Sequence, residues 1–448
     1  MSAPEVLIER LNRGVRKRNK RLTFVRDAAF GDALTLRRFM LGNGLTVLTL
    51  VDRSAPTVSY HTWFRVGSRH ERPGKTGLAH LFEHLMFNQT KEHPPGDFDR
   101  LMERAGAEAN AATWTDWTCY YENAPRDALP LLIELEADRM SNLVLRMPQV
   151  ASEKEVVANE RKLRVDDDVE GRAIELLYQS AFRHHPYRWP TIGWMDDIRG
   201  FTVGDCQSFY RSHYAPSNAT LIIAGDFDEQ AALSLVQKCY GGLSGSRAAK
   251  ALTPAKEPAQ RAERVLQLPA PTPTEKVLMG YHAPSFSHPD TPALVVVNEV
   301  LFGGRSSRLH RLLCVDEEIA LSVRGSISPF VDPGLFEMWI FLHEGKRRGD
   351  ALRLLDREID RLGSKGPSPL ELEKAINQLE LSFLHSMETA GGKAEQIGFY
   401  EIVANDGAAV FSRLAAYRDV TASDVKRVTS KYLRPSRRTR VEILSNAS

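Results

Sequence analysis

The sequence predicts an α+β protein built from two copies of one domain. Its 448 residues, 42% of them hydrophobic, are enough for two or more separate cores. Stretches of strand-like alternation are interleaved with stretches of helical periodicity. The chain also repeats itself. Thr202-x-x-Asp205, Pro216-Ser217 and Thr220 recur 219 positions on (202 to 421) as Thr421-x-x-Asp424, Pro435-Ser436 and Thr439. Tyr214 and Tyr432 match with a slip of one residue. Both stretches read helix, turn, strand, and each closes its half, which argues for a duplicated fold. The resulting division is an N-terminal arm at 1–37, a first domain at 38–243, a Gly/Ser/Pro-rich linker at 244–262 and a second domain at 263–448.

Composition narrows the function classes. A net charge of +2 implies no bulk attraction to nucleic acid or anionic membrane. No run of 18 or more apolar residues marks a transmembrane helix. Cys119, Cys206, Cys239 and Cys314 are scattered and form neither a C-x-x-C pair nor a disulfide framework. The first 37 residues carry Arg13, Arg16, Lys17, Arg18, Lys20 and Arg21 with no apolar segment after them. The expectation is a solvated arm rather than a secretory signal, with partner binding by the basic run as the alternative. The chain is expected to be soluble, in periplasm or cytoplasm.

In order, Leu45–Leu50 follows the Gly42-Asn43-Gly44 turn as a strand, and Val58–Val66 alternates as a second. A loop over Gly67–Gly77 leads into a helix, for which Thr76 is the expected N-cap after Pro73 and Gly74. Leu78, Leu81, Phe82 and Leu85 recur at helical spacing. Within this helix stands His80-Leu81-Phe82-Glu83-His84. At about 100° per residue, both imidazoles and the Glu83 carboxylate leave one side of the helix. That is metal-ligand geometry. A catalytic zinc takes three protein ligands and keeps one position for water, and a nearby carboxylate can relay the water's proton. The order H-x-x-E-H inverts the commoner H-E-x-x-H and is itself a catalytic pattern. With 13 His in the whole chain, chance is a weak explanation. The alternative is two ordinary helix histidines.

Asp97–Ala105 reads as a helix closed by Gly106, and Glu108–Tyr120 as two strands around a turn. Asp127–Leu143 and Pro148–Glu175 read as helices. On the second, Glu153 and Glu160 lie seven apart and share a face. Such a pair wants a compensating charge, or else forms a solvated acidic face. His184 and His185 fall in an extended loop and point opposite ways, which suits structure or substrate lining better than metal. Thr202–His213 is a helix, and Ala219–Ala224 a buried strand ended by Gly225-Asp226.

These residues resemble the inverzincin metallopeptidases, the family of pitrilysin, insulin-degrading enzyme and the mitochondrial processing peptidase. The family places an acidic third ligand 76 residues after the second His, where this chain has Glu160 (84 to 160). The resemblance covers roughly residues 38–445. It implies that His80, His84 and Glu160 bind one Zn²⁺ per chain, that Glu83 is the general base, and that Glu153 orients a ligand. It implies an edge strand at Asn110-Ala111, with Thr118 and Tyr120 matching nearby, that receives the substrate backbone. It also implies two related domains, each a mostly antiparallel sheet covered by helices, the first catalytic and the second without a metal site.

The second copy departs from the family pattern. After Gly303-Gly304-Arg305-Ser306-Ser307-Arg308-Leu309, the family has an Arg and, seven residues later, a Tyr; here the positions hold Cys314 and Leu321. Arg311, one turn earlier, is a partial substitute at most. Family members of this length pair as two half-shells around a chamber. The resemblance therefore implies a zinc endopeptidase for short or unfolded peptides, whose partner, a homologous subunit, supplies the Arg/Tyr pair; self-association is the other pairing. The rival from another class is a non-catalytic assembly subunit of a larger complex. The ligand set argues against it, since a scaffold has no reason to keep both His, both Glu and the spacing.

Overall fold

The computed structural model describes residues 3–244 and 254–445, so residues 245–253 of the expected linker lie outside the described residues. The chain divides into two compact units. One comprises Met1–Asn159, Pro190–Thr253 and Ser386–Phe411, the other Glu160–Trp189, Pro254–His385 and Ser412–Ser448. The division follows packing rather than the linear boundaries at 243 and 262, because each unit includes a helix from the other half of the chain. It runs through the last turn of helix Met147–Arg161, which is described whole with the first unit.

The first unit holds a seven-stranded sheet of β1 (Leu22–Phe30), β2 (Leu34–Leu41), β3 (Thr46–Val51), β4 (Thr57–Phe64), β5 (Glu108–Thr113), β6 (Thr118–Pro125) and β7 (Ala219–Gly225), in the order β1-β2-β3-β7-β4-β6-β5. Only β3 and β7 pair in parallel; the other neighbours are antiparallel. Strand β7, an unbroken Ala-Thr-Leu-Ile-Ile-Ala-Gly run, is buried along its whole length, as a central strand covered on both faces must be. Alternation along β4 assigns the faces. Val58, Tyr60 and Phe64 join the core that includes helices Leu78–Leu85 and Leu129–Asn142. Trp63 meets helix Ala390–Val403, which packs on β4 and β7. Gly398 permits that approach, since a Cβ there would lie 2.2 Å from the Trp63 indole nitrogen.

The expected solvated arm is a correction. Residues Ala3–Leu11 form a helix, and Leu22–Phe30 is the edge strand β1, paired antiparallel with β2 across a bulge between Phe24 and Arg26. The reason is a local hairpin: Phe30 pairs with Leu34 across the turn at Gly31, and the strong cationic character upstream hides the strand.

The second unit holds a five-stranded sheet of β8 (Arg264–Ala270), β9 (Lys276–His282), β10 (Ala320–Ile327), β11 (Leu335–Leu342) and β12 (Arg438–Ser445), in the order β10-β11-β9-β12-β8. Again one pair, β8 and β12, is parallel. Read from the opposite edge, this is the order β3-β7-β4-β6-β5 of the first sheet. Helix Val169–Ala181 packs on β9 and β12, the counterparts of β4 and β7, with Leu177 against Gly280. The sequence repeat is a repeated capping box. Thr202 accepts from the Asp205 N–H at 3.1 Å at the head of helix Val203–His213. Thr421 accepts from the Asp424 N–H at 3.2 Å at the head of Ala422–Tyr432. Each helix feeds the strand, β7 or β12, that its sheet is built around.

The helix expected over Pro148–Glu175 is interrupted. Helix Met147–Arg161 passes into a π-helical turn, Lys162–Asp166, and Asp168 caps a new helix by accepting from the Gly171 N–H at 2.6 Å. Three successive aspartates, poor helix formers and good caps, break the run.

Candidate metal centre

Helix Leu78–Leu85 buries Leu78, Leu81, Phe82 and Leu85 on one stripe, as the periodicity predicts. Its start differs from the expectation. Gly77, at φ +94°, is the cap residue, and a Cβ there would lie 2.5 Å from the Ile192 carbonyl oxygen. Thr76 serves instead as a clamp: its hydroxyl donates to Asp197 Oδ2 at 2.6 Å and accepts from the Trp194 N–H at 3.0 Å. The helix N–H groups are met by Glu71, whose carboxyl accepts from the Gly77 N–H at 2.8 Å and the Ala79 N–H at 2.7 Å. Burial pushes the Glu71 carboxyl well above the usual range, against the opposing pull of these backbone donors. At mid-helix, the buried Tyr120 hydroxyl donates to the Phe82 carbonyl at 3.0 Å, and Tyr214 lies 3.1 Å from that hydroxyl. The Arg139 guanidinium sits 4.5 Å over the Tyr120 ring. Thr118 bonds the Val66 carbonyl at 2.9 Å and so ties β6 to the end of β4.

This frame holds the polar residues. His80 is buried; Glu83 and His84 are half-buried. The two imidazole centroids are 5.0 Å apart and inclined by 74°. Glu160 comes from the last turn of helix Met147–Arg161. One ligand-type atom from each of His80, His84 and Glu160 lies within 4.8 Å of the other two. Glu153, two turns earlier on that helix, has Oε2 at 3.6 Å from His84 Nδ1, while its Oε1 accepts from the Asn88 amide at 3.0 Å. A neutral imidazole using one nitrogen toward a metal and steadied at the other by a carboxylate is the usual arrangement of a metal-ligating His. The donor set of two imidazoles and one carboxylate suits zinc and leaves room for water. Arg164, exposed on the π-helical turn, reaches Glu160 at 3.0 Å.

Asn110 and Ala111 lie on β5, the edge strand, which pairs only with β6 and runs beside helix Leu78–Leu85. The Asn110 side-chain oxygen accepts from the Ala111 N–H at 2.8 Å. His185 is buried, with Nε2 3.1 Å from Asp332 and Nδ1 accepting from the Tyr187 N–H, a structural part. In the second unit Cys314 is half-buried on the π-helical turn Arg311–Asp316, and burial raises its thiol. Leu321 stands 54% exposed on β10. Arg311 is turned to Asp316, 3.6 Å away at an exposed position. Glu71, Asn88 and Arg164 are missing from the sequence reading: no spacing rule links Glu71 to a helix beginning seven residues on, Asn88 depends on tertiary approach, and Arg164 is legible as the i,i+4 partner of Glu160.

The comparisons agree with this architecture. The family description "Insulinase (Peptidase family M16)" matches residues 46–193, and "Peptidase M16 inactive domain" matches 200–379. The chain is 30% identical over 408 residues to "Zinc protease PqqE" of Helicobacter pylori, covering 90% of this chain and 91% of that one. It is 27% identical to "Probable mitochondrial-processing peptidase subunit beta, mitochondrial" of Arabidopsis thaliana, covering 88% and 75%. Its fold superposes on "The crystal structure of a protease from Helicobacter pylori" with a TM-score of 0.87 at 28% identity, over 91% of this chain and 99% of the other. With similarity running through both halves and across nearly the whole length of named zinc proteases, this chain belongs to the M16 (insulinase) peptidase family.

Proposed function

We propose that the chain is a zinc-dependent endopeptidase for short or unfolded peptides, acting as the metal-bearing subunit of a heterodimer. The observation that carries this reading is the convergence of His80, His84 and Glu160 from two helices into one volume. These three would hold one zinc ion per chain. When bound, zinc supplies Lewis acidity that lowers the pKa of a water to about 7. Glu83 takes the proton of the attacking water and hands it to the leaving amine, a role worth about 10²–10⁴ in rate. Glu153 steadies the His84 ring from its Nδ1 side. The open edge of β5 at Asn110-Ala111 takes an extended peptide by backbone pairing, which favours unfolded substrates over any one sequence.

Cys314 and Leu321 leave the second unit without the guanidinium and phenol that would polarise a substrate carbonyl, and removal of one such donor costs about 2.7–4 kcal/mol. A second copy of this chain lacks them too, so the partner is a homologue that carries them. The names of the relatives support the peptidase half of the reading.

The test is an unstructured fluorogenic peptide, supplied to the purified zinc-loaded chain alone and mixed with a homologous subunit bearing the Arg/Tyr pair. Weak cleavage alone and strong cleavage by the mixture are expected. Full activity of the chain alone overturns the heterodimer. Purified chain without stoichiometric zinc overturns the enzyme and favours an assembly subunit.

A further inference from the structure

The cationic N-terminal run is not a solvated tail, and it has no part in the metal centre. Residues 12–22 form a loop closed at its neck. The Asn12 amide donates to the Leu22 carbonyl at 2.7 Å, and its oxygen accepts from the Leu22 N–H at 3.0 Å. Gln237 braces the neck from the neighbouring helix, donating to Asn12 Oδ1 at 3.1 Å and to the Lys20 carbonyl at 2.9 Å. The far side is pressed onto the β2–β3 turn: Gly42 N–H donates to the Arg21 carbonyl at 2.9 Å, and a Cβ at Gly42 would lie 2.0 Å from the Arg18 carbonyl oxygen. A compact loop with joined ends, built to hold a shape, is a frequent carrier of function.

What this loop holds out is charge. Arg13, Arg16, Lys17, Arg18 and Arg21 are exposed, Lys20 half-buried, and no acid occurs between Arg10 and Arg26. Among the described residues none of these six cations is ion-paired, although the chain as a whole is nearly balanced, with 59 Lys and Arg against 57 Asp and Glu. Lys238 on the neighbouring helix adds a further positive charge. Pinned together without acids between them, these cations set up a local positive field that an anionic surface would complement.

We propose that this loop docks the protein on anionic phospholipid headgroups. The six cations match in number the clusters of about four to eight Lys and Arg that attract anionic lipid, each contributing about 1 kcal/mol near the surface. Two features favour a membrane surface over nucleic acid. The run carries no aromatic side chain on which a base could stack. It is flanked by apolar residues, Val15 within the loop and the 45% exposed Val6 on the preceding helix, which suit the headgroup boundary. Attachment would be peripheral and reversible, and no helix among the described residues is long and apolar enough to cross a membrane.

The experiment is co-sedimentation of the full chain with vesicles of phosphatidylcholine alone and with roughly a quarter phosphatidylglycerol, at low and physiological salt. Binding only to the anionic vesicles, weakened by salt, is expected. The triple variant Arg16→Gln, Lys17→Gln, Arg18→Gln should weaken it on the order of 10²-fold. Its melting temperature and peptide cleavage should stay unchanged, because these side chains are exposed and remote in sequence from the metal centre. Equal binding to both vesicle types, no binding to either, or an undiminished triple variant overturns the proposal. Tighter binding to a short RNA or DNA duplex than to the anionic vesicles, lost in the same variant, also overturns it and assigns the loop to nucleic acid.

Discussion

In the first unit the edge strand β5 runs beside helix Leu78–Leu85; in the second, its counterpart β10 runs beside helix Thr291–Phe302. The strand orders match and the central strands follow matching capping boxes. The two helices differ in what they spend their polar positions on. The first presents His80, Glu83 and His84 between its apolar residues. The second buries Ala293, Leu294, Val296, Val297, Val300 and Leu301 and carries Glu299 as its one acid. The duplicated scaffold thus puts a helix at the same place twice, and only one copy has side chains that could hold a metal there. The fold lies in strand order and caps, which both copies keep; the chemistry lies in three or four side chains, which one copy keeps.

The largest expected effect comes from breaking this asymmetry at its centre. Glu83→Gln keeps the shape and hydrogen-bonding reach of the side chain but cannot take a proton. Peptide cleavage by the chain with its partner should fall by about 10²–10⁴ while zinc content, measured by elemental analysis, stays at one per chain. His84→Ala should lose both together. Retained cleavage in the Gln variant would mean that Glu83 is not the general base.

A smaller effect tests the support around the site. Glu153→Gln removes the charge facing His84 Nδ1 but can still bond Asn88. Zinc affinity, followed by competition with a chelator, should drop about 10–100-fold, with kcat at saturating zinc little changed. A fall in kcat with affinity intact would instead assign Glu153 to the substrate.

Much of this was open to sequence reading, for a physical reason. The side chains of H-x-x-E-H share a helix face through local geometry alone, and the repeat of Thr202 and Asp205 as Thr421 and Asp424 is a local capping rule applied twice. What the sequence hides is mostly non-local. Thr76 has the right chemistry for an N-cap, but the approach of Gly77 to Ile192 moves the cap by one residue, and Glu71 reaches the helix end through the fold. The strand at Leu22–Phe30 is the exception, since its hairpin with β2 is local and only the cationic run before it disguises it. The exchange of helices Val169–Ala181 and Ala390–Val403 has no local signature, because their apolar faces fit any sheet of suitable size.

The capping boxes allow the scaffold half of the comparison to be sharpened. Thr202→Ala and Thr421→Ala should each cost about 1 kcal/mol in urea unfolding, since both hydroxyls satisfy one helix N–H in the same geometry. The double variant should be additive, the sites being far apart in sequence and sharing no partner. A cost at one site alone would show that the two copies no longer lean on the same device.

The gentlest probe is pH, because the two units hold carboxyls shifted in opposite directions. Burial raises Glu71, so its contribution is complete below the unfolded carboxylate range and is lost as pH rises through the raised value. Glu371 is the reverse: hydrogen bonding to Arg308 lowers it from 4.5 to about 2, so its contribution is present above pH 4.5 and is lost as pH falls toward 2. Half-exposed and screened, Glu371 is worth little in absolute terms. The sign is still readable by comparing each variant with the parent across pH. Glu371→Gln should lower the melting temperature near neutrality and converge on the parent in acid. Glu71→Gln should gain on the parent as pH rises from acid toward neutrality, provided the amide keeps the bonds to the Gly77 and Ala79 N–H groups. Parallel curves for both variants would mean that neither carboxyl changes protonation between the folded and unfolded chain over that range, and the contrast between the buried carboxyl of the first unit and the ion-paired carboxyl of the second would fall.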